Sequence, residues 1–357
     1  MSILKKPRVA VLFGGMSSEH AVSLVSATSV ITNIPRDRFD VVMIGITRDG
    51  EWRLFEGDVK EIAGSGWESD PANRPAFIAP DSRVHGIVAL SPDGRTETIR
   101  LDVVFPVLHG LYGEDGTVQG LLTLARIPFV GCGVAASAVC MDKAITKALC
   151  DAYEIPQAKW ETVRVSELKD NGRAVVERLE AHLGYPMFVK PANAGSSVGI
   201  SKATDRETLY KAIEAAAAHD RKLVFEEAVS GKEIECAVLG NEEPVVSCCG
   251  EIRPCNDFYD YNAKYLAGRT ELVIPADLPR DVSERVRQIA VDAFRLLGCR
   301  GLTRMDFFVR EDGTVLLNEP NTIPGFTSIS MYPKLFEAGG TSYSELLETL
   351  LRLAMEG

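Results

Sequence analysis

Between Thr303 and Gly325 the chain reads TRMDFFVREDGTVLLNEPNTIPG, and four of its polar residues have types and spacing suited to chemistry: Arg304, Asp306, Glu319 and Asn321. Two apolar-alternating runs flank Asp312-Gly313, a pair favoured in two-residue hairpin turns because both positions need positive φ. With that turn Asp306 faces Glu319 and Arg304 faces Asn321, whereas a three-residue loop would break this register. Side chains two apart on a strand share a face, so all four lie together. Oxygen donors without His or Cys suit Mg²⁺, a hard cation that also takes phosphate oxygens. The adjacent Arg suits an anionic transition state. The plainer reading is a solvated hairpin face with one surface ion pair, worth about 0–1 kcal/mol. NTIPGF follows at once, and its Pro-Gly turn could aim a backbone N–H into the same site.

KPANAGSSVG puts Lys190 at a strand end, followed by a loop with Gly195, Ser196, Ser197 and Gly199. Glycines let backbone N–H groups approach an anion and serine hydroxyls add donors, although such a run can equally be a flexible turn. The order, lysine first and loop second, is not that of a Walker loop, and no GxGxxG is present. Lys143 in MDKAITK is a second candidate cation, or an ordinary solvated helix lysine. FEEAVSGKE offers an extended backbone for an adenine edge, then Glu233 for ribose hydroxyls; acidic residues at a strand end are also commonly just solvated.

GGMSSEHAVS places two glycines at the end of the first strand and a helix start just after, where ligands bind in open α/β sheets. Glu19 in the first helical turn either compensates the macrodipole, worth roughly 0.3–1 kcal/mol, or receives a substrate ammonium. His20 and His109 are compatible with polar site walls or with structural roles; His109 directly follows a strand, which favours the site. FYDYNAKYLAG combines Tyr259, Tyr261 and Tyr265 with Lys264. It is either core or a lid that excludes water from a hydrolysable intermediate.

The elements that must carry these residues alternate strand and helix through the first third. PRVAVLFGG, FDVVMIGIT and LDVVFPVLHG read as strands and SSEHAVSLVSATSVITNI as a helix. Near-continuous apolar strands predict a parallel sheet covered on both faces. RVHGIVAL and TETIRLDVVF, joined across SPDG, read as an appended hairpin. From about Gly131 the texture changes: VAASAVCMDKAITKALCDAYEI reads as one helix, MFVKP and KLVFEEAV as strands. A helix from about Arg280 to Leu297, the hairpin and a C-terminal helix after Thr341 close the chain. The boundaries predict three units, residues 1–131, 132–227 and 228–357. A length of 357 residues suits two or three domains. The net charge of −11 argues against a general nucleic-acid or membrane-surface partner. No apolar run approaches the roughly 18 residues of a membrane helix. Eight cysteines without zinc-knuckle spacing read as buried reduced thiols of a cytoplasmic protein, with Cys132 and Cys255 in more polar surroundings.

Taken in order, GGMSSEHAVS, HGLYGEDGTVQGLL, MDK, VKPANAGSSVG, FEEAVSGKE, EIRPCNDFYDYNAKY, RMDFF and NEPNTIPGFTSISMYPK closely resemble the D-alanine–D-alanine ligase family of the ATP-grasp superfamily. The matching stretches run from residue 14 to about 334. The resemblance implies an α/β protein of ATP-grasp fold, an N-terminal parallel-sheet domain plus two α+β domains enclosing ATP. It implies that Lys143 and Lys190 contact ATP phosphates, with Ser196 and Ser197 in the phosphate loop. Glu226, Glu227, Ala228 and Val229 would form the adenine-binding connection, with Glu233 on ribose. Asp306, Glu319 and Asn321 would hold two Mg²⁺ ions, with Mn²⁺ an alternative. Glu19 would bind the ammonium of the first D-alanine, tied to Ser196 and Tyr265; Arg304 and the Gly325 N–H would form the oxyanion site. Ser330 and Met331 would receive the second D-alanine, with Lys264 on the lid. The family often has a small aliphatic residue where this chain has Pro320, which implies an edge strand. The activity implied is ATP-dependent joining of two D-alanines for peptidoglycan precursors, by a cytoplasmic homodimer. Formation of D-alanyl-D-serine or D-alanyl-D-lactate is an alternative, and Tyr265 argues against lactate. A nucleotide-binding regulatory module without turnover is a third reading.

Overall fold

The computed structural model describes residues 5–253, 271–327 and 329–356. Their strands fall in three sheets. The first contains β1 (Arg8–Gly14), β2 (Asp40–Ile46), β3 (Trp52–Phe55), β4 (Arg74–Ile78), β5 (Gly86–Leu90), β6 (Thr96–Arg100) and β7 (Val103–Pro106), in the spatial order β6-β5-β4-β3-β2-β1-β7. Only β7, β1 and β2 are parallel. The other neighbours pair antiparallel, so the sheet is mixed where a parallel one is expected from the strand-helix alternation. Connection length explains the difference for β2–β3, β4–β5 and β5–β6. Parallel neighbours need a crossover of about a dozen residues or more; the helix His20–Asn33 supplies it between β1 and β2, but residues 47–51 between β2 and β3 are too few. The hairpin β5–β6 extends this sheet through β4 and is not a separate appendage.

The second sheet holds β8 (Trp160–Arg164), β9 (Met187–Pro191), β10 (Ser201–Ala203) and β11 (Lys222–Glu227) in the order β10-β9-β11-β8. Val175, Val176 and Leu179 of helix Val165–Leu183 and Leu209 and Ala212 of helix Arg206–Ala217 bury its apolar face. The third sheet holds β12 (Lys232–Gly240), β13 (Val245–Arg253), β14 (Glu271–Val273), β15 (Gly301–Val309) and β16 (Val315–Asn321) in the order β14-β13-β12-β15-β16. Helix Arg280–Leu296 packs Val286, Ile289 and Phe294 on it. The C-terminal helix Tyr343–Met355 opens on a capping box formed by Ser342 and Glu345.

One apolar core is shared by the first sheet and the C-terminal third. Val9, Phe13 and Phe105 belong to the same cluster as Phe326, Tyr332 and Leu350. The rings of Phe105 and Phe326 meet edge-on at 5.8 Å. Each such side chain contributes about 1.5–3 kcal/mol on burial, so this core seats the amino-terminal glycine turn against the hairpin β15–β16. No helix among the described residues is long and apolar enough to cross a membrane.

Candidate active site

The hairpin reaches the expected pairing by a different route. The Arg310 N–H bonds to Thr314 O at 2.9 Å and the Gly313 N–H to Arg310 O at 3.0 Å, so the loop is three residues, Glu311 to Gly313. Gly313 sits in the left-handed region at φ +84°, as three-residue loops of this kind require. Next to the loop the register is therefore shifted by one, with Phe307 facing Leu317. A bulge at Asn318 takes up the extra residue, and beyond it Asp306 faces Glu319 and Arg304 faces Asn321. β16 is an edge strand, where Pro320 is tolerated.

On that face Arg304 donates from Nε to Asp306 Oδ1 and from Nη2 to Oδ2, each at 2.7 Å, and Nε lies 3.1 Å from Glu235 Oε2. Asn321 Nδ2 donates to Asp306 Oδ2 at 2.9 Å. Burial opposes the Arg304 charge, but Asp306 and Glu235 outweigh it and hold the guanidinium pKa above its ordinary value. Glu319 Oε2 lies 3.9 Å from Lys143 Nζ.

Lys143 owes its position to a break in the helix expected to run unbroken from Val134. Asp142 leaves helical geometry (φ −87°, ψ 97°) and caps a second helix, Lys143–Ala152, by accepting the Ile145 N–H. The competition of a short polar side chain with the backbone is the cause. Lys143 Nζ then donates to Ala194 O at 2.7 Å, under the glycine loop. Lys190 donates to Glu226 Oε2 at 3.0 Å, and buried Lys147 Nζ lies 3.4 Å from the same oxygen. Burial would raise the Glu226 pKa; the charges of Lys147 and Lys190 outweigh it and hold the carboxyl down to about 2. Burial pushes Lys147 down in turn. Glu227 accepts from the Lys159 N–H and from Arg310, both at 3.1 Å.

In the loop after β9, Ser196 and Ser197 both adopt left-handed backbone, φ +47° and +60°. Non-glycine residues rarely do so, and such conformations cluster at functional sites. Ser196 Oγ donates to the Glu19 carboxylate. Glu19 precedes the first turn as the N-cap residue and makes no capping bond, so it does not lie in the first helical turn as expected from sequence. Its carboxylate instead fills the space left by two glycines: a Cβ at Gly110 or at Gly195 would lie 2.5 Å from Glu19 Oε2.

His109 bonds through Nδ1 to Ile323 O at 3.0 Å and through Nε2 to Ser26 Oγ at 3.1 Å. Burial pushes its pKa down, which keeps the ring neutral. Glu114 accepts the Gly110 N–H at 2.7 Å and the Ile323 N–H at 3.1 Å. Desolvation, with the Glu19 charge nearby, pushes its carboxyl up to about 8. Ser330 Oγ accepts from the Thr327 N–H at 3.0 Å, and Met331 opens the helix Met331–Ala338. His20 is buried, with Nδ1 2.8 Å from Gly15 O.

These residues line two adjoining clefts of about 180 Å³ each. The first gathers Glu19, His109, Lys143, Ser196, Arg304, Asn321, Gly325, Ser330 and Met331. Lys190, Glu226, Glu227, Ala228, Val229, Glu233 and Asp306 line the second. Ser197, Glu235 and Glu319 border both. Lys264 and Tyr265, with Tyr259, Tyr261 and Cys255, lie outside the described residues. The other seven cysteines are free, Cys132 among the buried ones.

Four residues of this arrangement escape the sequence reading: Ser26, Glu114, Lys147 and Glu235. Signals for two were available. Lys147 follows Lys143 by four residues and so shares its helix face, and Glu235 alternates with Glu233 on one face of β12. Glu114 has a local partner in the Gly110 N–H, but its link to Ile323, 209 residues away, carried no local signal, and neither did that of Ser26 to His109, 83 residues away.

Two family models match the chain, "D-ala D-ala ligase N-terminus" over residues 8–132 and "D-ala D-ala ligase C-terminus" over residues 149–352. The D-alanine–D-alanine ligase of Acetivibrio thermocellus is 50% identical over 364 residues, covering 98% of this chain and 96% of the relative. Among solved structures, the VanG D-Ala:D-Ser ligase of Enterococcus faecalis superposes with a TM-score of 0.89 at 40% identity, covering 98% of this chain and 100% of that one. The D-alanine–D-alanine ligase of Coxiella burnetii gives 0.84 at 36% identity, covering 98% and 96%. With both halves of its length matched and the site built from the same ordered segments, the chain belongs to the D-alanine–D-alanine ligase family.

Proposed function

We propose that the protein joins two D-alanines at the expense of ATP, through an acyl phosphate, for peptidoglycan precursors. The observation that carries this reading is the hairpin face of Arg304, Asp306, Glu319 and Asn321 bordering the cleft that holds Glu19 and Ser196. ATP would lie along the second cleft, its base against Glu226 to Val229, its ribose on Glu233 and its phosphates toward Lys190, Lys143, Ser196 and Ser197. The donor set is two carboxylates and a carboxamide; among the described residues no group of three or more His, Cys, Asp and Glu is placed to hold a metal by itself. An all-oxygen set of this kind suits a hard divalent cation completed by phosphate oxygens and water. Asp306, Glu319 and Asn321 would hold two Mg²⁺ ions, replaceable by Mn²⁺, and the metal when bound neutralises charge on the phosphates.

Glu19, aligned by Ser196, holds the ammonium of the first D-alanine. Its carboxylate oxygen attacks the γ-phosphorus and the bond to the β–γ bridging oxygen breaks, giving D-alanyl phosphate and ADP. The second D-alanine rests its carboxylate at Ser330 and Met331, where a helix amino terminus favours an anion. Its free amine attacks the acyl carbon, and the oxyanion faces Arg304 and the Gly325 N–H. The tetrahedral species expels phosphate, which carries away the proton lost by the attacking amine, leaving D-alanyl-D-alanine. The three sheets support division of the chain into units 1–131, 132–227 and 228–357. The dependence on ATP and the free cysteines support a cytoplasmic location, and a homodimer is the expected assembly, with no nucleic acid or membrane partner.

The test is phosphate release from ATP and Mg²⁺ with D-alanine, D-serine, D-lactate or L-alanine, with products identified by mass. Dipeptide from D-alanine alone is expected. The similarity to a D-Ala:D-Ser ligase favours D-alanyl-D-serine as the second reading, and one added hydroxyl is weakly discriminated; a mixed product would establish it. ATP binding without phosphate release would leave a regulatory nucleotide site.

A further inference from the structure

The backbone of residues 323–326 is held by three side chains of the first domain. Glu114 accepts the Ile323 N–H at 3.1 Å, and His109 Nδ1 meets Ile323 O at 3.0 Å. On the other side of the Pro-Gly turn, the Phe326 N–H points to Ser26 Oγ at 3.4 Å, and that hydroxyl lies 3.1 Å from His109 Nε2. One pattern of hydrogens satisfies this set with a neutral ring. The Phe326 N–H donates to Ser26, the Ser26 hydroxyl donates to Nε2, and Nδ1–H donates to Ile323 O. His109 and Ser26 are buried, and Ile323 is 4% exposed.

The N–H and C=O of Ile323 and the N–H of Phe326 are thus paired, and Pro324 has no N–H. Gly325 alone in this stretch has a backbone N–H without a protein acceptor among the described residues. It lines the first cleft together with Arg304. Both nitrogens of His109 have protein partners, so the ring is not arranged to shuttle a proton to a substrate.

We propose that His109 and Glu114, with Ser26, are positioning residues that clamp the backbone on both sides of Ile323 from the first domain and so aim the Gly325 N–H at the developing oxyanion. This rests on the ligase reading above. It follows that the oxyanion donor is placed across a domain junction: the hairpin supplies the N–H, and the first sheet sets its direction. Glu114→Gln keeps the shape but presents an amide donor to one of two backbone N–H groups. His109→Ala removes the Ile323 O bond, whereas the Asn side chain of His109→Asn offers an amide N–H where Nδ1 stood.

Removing an oxyanion donor costs about 10²–10³ in kcat, and misaiming one is expected to cost about 10–100-fold. Wild-type dipeptide synthesis is measured first; its absence would sink the ligase reading and is distinct from failure of the clamp. In an active enzyme, Glu114→Gln and His109→Ala should lower kcat by that factor, with the ATP Kd and the D-alanine KM within twofold. Binding of a tetrahedral phosphinate analogue of the dipeptide should weaken by the same factor as kcat/KM, and His109→Asn should recover most of both. Unchanged kcat, analogue affinity that does not follow kcat/KM, or no recovery in His109→Asn would overturn the clamp. A loss shared by KM, ATP binding and thermal stability would also overturn it, since that is the pattern of general structural damage.

Discussion

Gly195 offers a test of the Glu19 site through a single contact. Alanine meets no backbone penalty there, because the residue is outside the left-handed region, but its Cβ would lie 2.5 Å from Glu19 Oε2. Ordinary contact begins near 3.4 Å, so the carboxylate must retreat by about 0.9 Å. Such a shift strains the bond from Ser196 and moves the group proposed to hold the first ammonium. Misplacement by about 1 Å can cost roughly 10²-fold, or about 2.7 kcal/mol in the barrier. Gly195→Ala should therefore lower kcat/KM for D-alanine by about 10–100-fold, with ATP affinity by calorimetry nearly unchanged. The decisive measurement is a cycle with Glu19→Ala: once the carboxylate is gone, Gly195→Ala should add no further loss, because coupled neighbours are non-additive. Full activity in Gly195→Ala, or an equal additional loss in the Glu19→Ala background, would refute the reasoning.

Glu319→Gln should raise the Mg²⁺ concentration for half-maximal phosphate release, while chelation abolishes turnover in both proteins; an unchanged Mg²⁺ dependence would remove Glu319 from the donor set. Glu226 is held to about 2 against an ordinary 4.5, so its contribution to stability is present above about pH 4.5 and is lost as pH falls toward 2. Lys147→Met should move that loss to higher pH in urea unfolding series. Its cost at neutral pH should be below the roughly 3–5 kcal/mol of breaking a buried pair outright, because Lys190 remains and the burial penalty of Lys147 is relieved. Ser342→Ala removes a capping-box oxygen and should cost about 1 kcal/mol, read as a lower Tm with unchanged kcat.

The hairpin departs from the local expectation at its loop and agrees with it at the site. Asp312-Gly313 suggested a two-residue turn; the loop has three residues, and the Asn318 bulge restores the pairing. Alternation marked the strands, but bulge placement is a property of how β15 and β16 pair and of neither strand alone. The β1–β2 crossover was legible because a helix stood between two apolar runs. In the antiparallel remainder the β5–β6 hairpin was legible from two runs joined across SPDG, whereas the short strands WRLF and RPAFI carry too little pattern to show their pairing. The break at Asp142 was likewise missed, since good helix formers stand on both sides of it.

The residue types, their order and the two-residue periodicity that puts Arg304 with Asp306 and Glu319 with Asn321 belong to the sequence by itself. They are covalent or nearest-neighbour properties of the chain, and so was the family it resembles. The tertiary structure alone decided which oxygen each lysine faces, that Glu19 lies between Gly110 and Gly195, and that Glu114 and His109 meet the Ile323 backbone. Those contacts join residues up to 214 positions apart. They form only when the shared core seats the first sheet on the last, a cooperative event that no local propensity encodes.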